Sequence, residues 1–136
     1  MKRFGFKIAA TAAIAVLVAS VVGISADDKK TLTVKECMKC QNDSRTQIEK
    51  LLKAKEVNWE KVESSTKTWT DACMDLSASK VKKGSADSWK EQTEKYAATV
   101  KAIGDAAEKK DAKEVSAKLK EFGASCGGCH SKHKGK

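Results

Sequence analysis

Among five cysteines and two histidines, three fall in one short run near the end of the chain, Cys126-Gly127-Gly128-Cys129-His130. Cys-x-x-Cys-His is the attachment spacing of a c-type haem. Its chemistry sets the spacing: two thiols must reach the two vinyl groups of one porphyrin while the next residue turns its imidazole onto the iron. On a helix Cys126 and Cys129 lie three positions apart on one face, and His130, four from Cys126, shares that face. The motif predicts one covalent haem c per chain, held by Cys126 and Cys129, with His130 as an iron ligand. Zinc binding or thiol redox chemistry is the minor alternative for the same cysteine pair.

Covalent haem attachment goes with export, and the N-terminus carries the pattern of an exported chain. Lys2, Arg3 and Lys7 make a basic start, an apolar stretch runs from Ile8 to Val22, and the small residue Ala26 precedes Asp27 and Asp28. Residues 1–26 therefore read as a secretory signal peptide and 27–136 as a single haem domain, with a periplasmic location. Cleavage after Gly23 is the other site the pattern allows. The stretch from Ile8 to Ile24 is close to the lower length for spanning a bilayer, so retention as an anchor is the competing reading.

Of the 27 basic residues three precede position 27, leaving 24 against 18 acidic and a net charge of +6 on residues 27–136. That excess is spread along the chain without the Lys/Arg and aromatic clustering of a nucleic-acid binder, so nucleic acid is not an expected partner. It suits an acidic redox partner protein. Peripheral membrane association and a homodimer are compatible with it. No Ser-His-Asp set, catalytic carboxylate pair or phosphate loop stands in the sequence, so the chain is not expected to be an enzyme.

Positioning the motif falls to helices. Proline is absent, and Ala, Lys, Glu, Leu and Thr dominate, which favours helix almost throughout. Caps divide the chain: Thr31 or Thr33, Asn58, Ser85 after Gly84, and Asp111 after Lys109-Lys110. Four helices are predicted over about 33–55, 59–80, 86–108 and 112–133. Three carry clear stripes at steps of three and four: Val62, Thr66, Trp69, Cys73 and Leu76; Trp89, Thr93, Tyr96, Val100, Ile103 and Ala107; Val115, Leu119, Phe122, Cys126, Cys129 and His133. The first is less regular, with Val34, Cys37, Met38, Gln41, Ile48, Leu51 and Leu52. Short connections make sequential helices neighbours, so the predicted fold is all-α: an antiparallel up-down-up-down four-helix bundle binding one covalent haem.

That topology puts the end of the fourth helix beside the start of the first, the end of the second and the start of the third. Met38, Cys37, Cys73, Leu76 and Trp89 are expected around the haem. Met38 has two readings: a soft thioether ligand on the sixth iron position, or an apolar filler beside five-coordinate iron. Antiparallel pairing also sets Cys73 level with about residue 39. A disulfide from Cys73 to Cys37 or Cys40, buried free thiols, and a local Cys37–Cys40 redox pair are the three readings of these cysteines. Trp59 and Trp69 read as packing residues, with Trp69 or Trp89 able to lie against porphyrin. Lysines at 80–83 and 132–136 share the haem end and could steer an acidic partner.

A Cys126-Gly127-Gly128-Cys129-His130 motif near the end of a four-helix chain with a signal peptide resembles class II cytochrome c, the group of cytochrome c prime and its low-spin relatives. In that family a basic residue follows the proximal histidine by four; Lys134 stands there, where Arg is usual, and His133 stands where Tyr or Phe is usual. Cys37-Met38-Lys39 resembles the Leu-Met-Lys-like stretch of the low-spin members. The resemblance implies a one-electron carrier with His130 and Met38 as axial ligands. Its alternative is a five-coordinate protein that binds NO or CO, as cytochrome c prime does.

Overall fold

The computed structural model describes residues 31–135, so the proposed signal peptide, residues 1–26, lies outside the described residues. The described chain is helical, with α1 over Val34–Leu52, α2 over Trp59–Ala78, α3 over Ala86–Glu108 and α4 over Ala112–His133, and no strand among the described residues. Each helix begins where a polar side chain caps it. Thr33 and Glu36 form a reciprocal capping box at α1, while Asn58, Ser85 and Asp111 each accept from a backbone N–H three residues on.

Two ends depart from the sequence expectation. α1 stops at Leu52, although Lys53-Ala54-Lys55-Glu56 has good helix formers, because all four are exposed and the chain turns to set Val57 against the core. Packing outweighs propensity there. α2 stops at Ala78, since Ser79 is extended with ψ 144°. The Ser79 carbonyl accepts from Trp89 Nε1 at 3.1 Å, a partner that continued helix would remove.

Burial follows the predicted stripes. Val62, Thr66, Trp69, Cys73 and Leu76 are buried on α2; Trp89, Thr93, Val100, Ile103 and Ala107 on α3; Val115, Leu119, Phe122 and His133 on α4. Trp69, Tyr96 and Phe122 hold the centre: Trp69 and Tyr96 meet the Phe122 ring edge-on at centroid distances of 4.7 and 4.9 Å, and Trp69 Nε1 donates to Tyr96 Oη at 2.8 Å. Burying each such apolar side chain contributes about 1.5–3 kcal/mol.

A second cluster joins Cys37, Leu76 and Trp89 with Met38, Val81 and Cys129. The start of α1, the end of α2, the start of α3 and the end of α4 thus meet at one end of the bundle. Contacts are extensive between consecutive helices and sparse between α1 and α4. That seam is where the molecule is open. Among the described residues no helix is long and apolar enough to cross a membrane.

Candidate cofactor-binding groove

Along the α1–α4 seam runs a groove of about 590 Å³, within the roughly 300–1,000 Å³ typical of sites for organic ligands. Its α4 wall carries Phe122, Cys126, Cys129, His130 and His133; α1 contributes Val34, Met38, Gln41 and Arg45, and Trp89 reaches in from α3. The helical period brings this about, because Phe122, Cys126, Cys129, His130 and His133 step by three, four and one along α4. Gly127 and Gly128 between the cysteines are exposed, with no atom within 4 Å of a Cβ built at Gly127.

A smaller cavity of about 100 Å³ lies behind the same wall and shares Met38, Gln41, Cys126, Cys129 and His130, with Leu76, Thr93 and Tyr96 on its far side. The four residues proposed as cofactor ligands, Cys126, Cys129, His130 and Met38, therefore line both spaces. Cys126 and Cys129 are half-buried. Burial, with the neighbouring Cys126 second, pushes the Cys129 thiol above its ordinary range. A thiol adding across a vinyl group needs no outside oxidant or reductant, since sulfur bonds one vinyl carbon and the thiol proton goes to the other.

Polar side chains stand at the groove's two ends. Lys35, Lys80, Lys82 and Lys134 are exposed around the mouth. At the other end Arg45 is paired with Glu49 at 2.8 Å, and its guanidinium passes Gly123, where a built Cβ would lie 3.4 Å from Arg45 Nη1. Apolar walls, two thiols and an imidazole on one helix face, and cations around the rim fit a porphyrin, whose two carboxylates leave from one edge.

His133 has a different job from the residues before it. Its ring is buried, with Nδ1 2.8 Å from the Lys83 carbonyl, Nε2 3.0 Å from Ser88 Oγ, and the Trp89 ring edge-on at 5.3 Å. It pins the α2–α3 connection to the end of α4. Its helical position was readable in the sequence; its partners, which come from the loop and α3, were not.

The remaining cysteines correct two expectations. Cys37 and Cys73 do not line the groove: Cys37 packs with Leu76 and Trp89 and donates to the Leu32 carbonyl at 3.9 Å, and Cys73 sits in the central core. Nor does Cys73 bridge to α1, since all five cysteines are free and Cys40 instead donates to the Thr68 carbonyl at 3.9 Å. Burial pushes the Cys73 thiol up to about 12, and burial followed by Asp75 raises that of Cys37. Buried thiols with such values are poor nucleophiles. Among the described residues no cluster of three or more His, Cys, Asp or Glu side chains is arranged to hold a metal ion, so the two Cys-x-x-Cys pairs do not assemble a zinc site.

Trp69 is fully buried in the core, away from the groove, and Trp89 alone of the tryptophans lines it. Sequence reasoning put Gln41 on the α1 stripe without a chemical role and did not single out Arg45. Both sit on the groove face of α1 at three and seven positions from Met38, a spacing that marks them once Met38 is placed.

Residues 84–134 match the family model described as Cytochrome C′. The match covers α3, α4 and the whole Cys126–His130 segment, so the resemblance to class II cytochrome c is shown over that stretch. The likeness covers less than half of the chain, and over that stretch it points toward a c-type cytochrome and its haem. No curated protein and no solved structure matches the chain.

Proposed function

We propose that this protein is an exported, periplasmic one-electron carrier and not an enzyme, with one covalent haem c in an antiparallel up-down-up-down bundle. The observation that carries the reading is that Met38 on α1 and Cys126, Cys129 and His130 on α4 line the same groove. The haem supplies the one-electron iron couple. Cys126 and Cys129 hold it through thioethers, His130 gives its imidazole to the iron, and Met38 gives its thioether from the facing helix. Met38 is half-buried and unbranched, and its soft sulfur suits both iron oxidation states while favouring the ferrous one. Phe122 and Trp89 give the groove apolar wall for the porphyrin. Lys35, Lys80, Lys82 and Lys134 around the mouth favour an acidic redox partner at the haem edge.

A second reading has its own support. The cavity of about 100 Å³ beside Met38 and His130 exceeds the roughly 30 Å³ a water molecule occupies in the liquid and would admit a diatomic gas. In that case Met38 is a wall of the gas pocket and iron is five-coordinate. Absorption spectra of the ferric and ferrous protein separate the two. Met38 ligation gives low-spin iron, the weak far-red band of thioether-bound ferric haem and slow reaction with CO; Met38→Ala then becomes high-spin and takes up CO readily. A parent protein that is already high-spin and binds CO readily refutes the carrier reading and leaves the gas-binding one.

A further inference from the structure

The Met38 sulfur has a hydrogen-bond donor of its own. Gln41 Nε2 donates to Met38 Sδ at 2.7 Å. Both side chains are half-buried, both line the groove, and both also line the inner cavity with Cys129 and His130. A thioether is a weak acceptor, and a glutamine on a helix surface has water as a stronger partner. The pairing is therefore informative: the carboxamide faces the interior seam and meets the one sulfur of α1 that lines it. The i, i+3 spacing makes the contact local to α1.

We propose that Gln41 is a positioning residue of the cofactor site, whose amide N–H occupies one lone pair of the Met38 sulfur, orients the other, and raises the reduction potential of the iron. The inference rests on the reading of Met38 as an iron ligand. Methionine has three rotatable side-chain bonds, and a fixed donor at its sulfur narrows the rotamers from which ligation occurs. The hydrogen bond also withdraws charge from the sulfur. Ferric iron, with the higher charge, loses more from a weakened donor than ferrous iron does, so the couple moves toward the reduced state. Hydrogen bonds to metal ligands are a general lever of this kind.

Potentiometric titration of the holoprotein tests this, with Gln41→Leu and Gln41→Asn beside the parent. Leu removes the donor without adding charge; Asn keeps an amide in the groove but is one methylene too short for the sulfur. Both variants should lower the ferrous-to-ferric ratio at a fixed ambient potential by roughly two- to fivefold, a fraction of one hydrogen bond. At 59 mV per decade for a one-electron couple that is a fall of about 20–40 mV. Both should stay low-spin with the far-red band displaced. A low-spin parent whose potential is unchanged in Gln41→Leu overturns the role of Gln41 and leaves Met38 ligation standing. A shift in Gln41→Leu that Gln41→Asn does not share also overturns it, since groove polarity would then be the cause. A high-spin parent, unaltered in spin state by Met38→Ala, removes the ligation reading and this inference with it.

Discussion

Replacing Gly84 with alanine should be costly out of proportion to one methyl group, because two separate penalties fall on the same atom. Gly84 has φ 86°, a conformation that costs an L-residue about 1–2 kcal/mol. Its added Cβ would also lie 2.6 Å from His133 Nδ1 and 2.8 Å from His133 Cε1. The ring cannot hold its place against that contact, and moving it loosens the bonds to the Lys83 carbonyl and Ser88 Oγ at 2.8 and 3.0 Å. At about 1 kcal/mol for each hydrogen bond, the expected total is about 3–4 kcal/mol. His133→Ala alone loses the same two bonds and the edge contact with Trp89, about 2–3 kcal/mol. In the double variant the obstructing ring is gone, so Gly84→Ala should then cost its backbone part, about 1–2 kcal/mol, together with the 3.0 Å approach of its Cβ to the Lys132 carbonyl, which both backgrounds share. Denaturant unfolding of the four proteins closes the cycle, with a coupling of about 2 kcal/mol in the sub-additive direction. Strict additivity would refute the assignment of His133 as the latch between the α2–α3 connection and α4.

Tyr96→Phe should destabilise by about 1–3 kcal/mol, because the fully buried Trp69 loses the only acceptor its indole N–H is seen to use; the denaturation midpoint and near-ultraviolet circular dichroism report it. Lys110→Gly should stabilise by up to about 1 kcal/mol, since Lys110 holds φ 56° between α3 and α4, and a higher midpoint with an unchanged slope checks it. Stability should fall as pH rises from 9.0 toward 12, because burial keeps the Cys73 thiol protonated in the folded state up to about 12 while an ordinary thiol ionises from 9.0. The folded protein then binds more protons than the unfolded one, so the contribution is complete below pH 9.0 and declines at up to about 1.4 kcal/mol per pH unit above it. Cys73→Ala should be less stable at neutral pH but lose less with rising pH; an identical slope in the two proteins would count against a buried neutral thiol.

Most of the secondary structure was legible because its causes are local. Asn58, Ser85 and Asp111 cap helices as anticipated, and α3 and α4 have the anticipated limits, since a cap acts on N–H groups two or three residues away. The ends of α1 and α2 were misjudged where a distant group intervened: the seat of Val57 on the core, and the indole of Trp89 at the Ser79 carbonyl. The cysteines divide in the same way. Cys126, Cys129 and His130 share a helix face by spacing alone, whereas whether Cys73 bridges to Cys37 or Cys40 depends on the rotation of α2 against α1, which no stretch of either sequence encodes by itself.

By itself, then, the sequence determined four capped helices, their apolar stripes, and a Cys-x-x-Cys-His motif on one face of the last of them, all consequences of spacings within three or four residues. Only the tertiary structure decided that α1 and α4 stand apart along one seam, that Arg45 and Gln41 face it with Met38, and that His133, on the groove wall, also fastens a loop. Those outcomes depend on how helices rotate and space themselves when their side chains pack, and the stripe on α1 was too irregular to fix that rotation in advance.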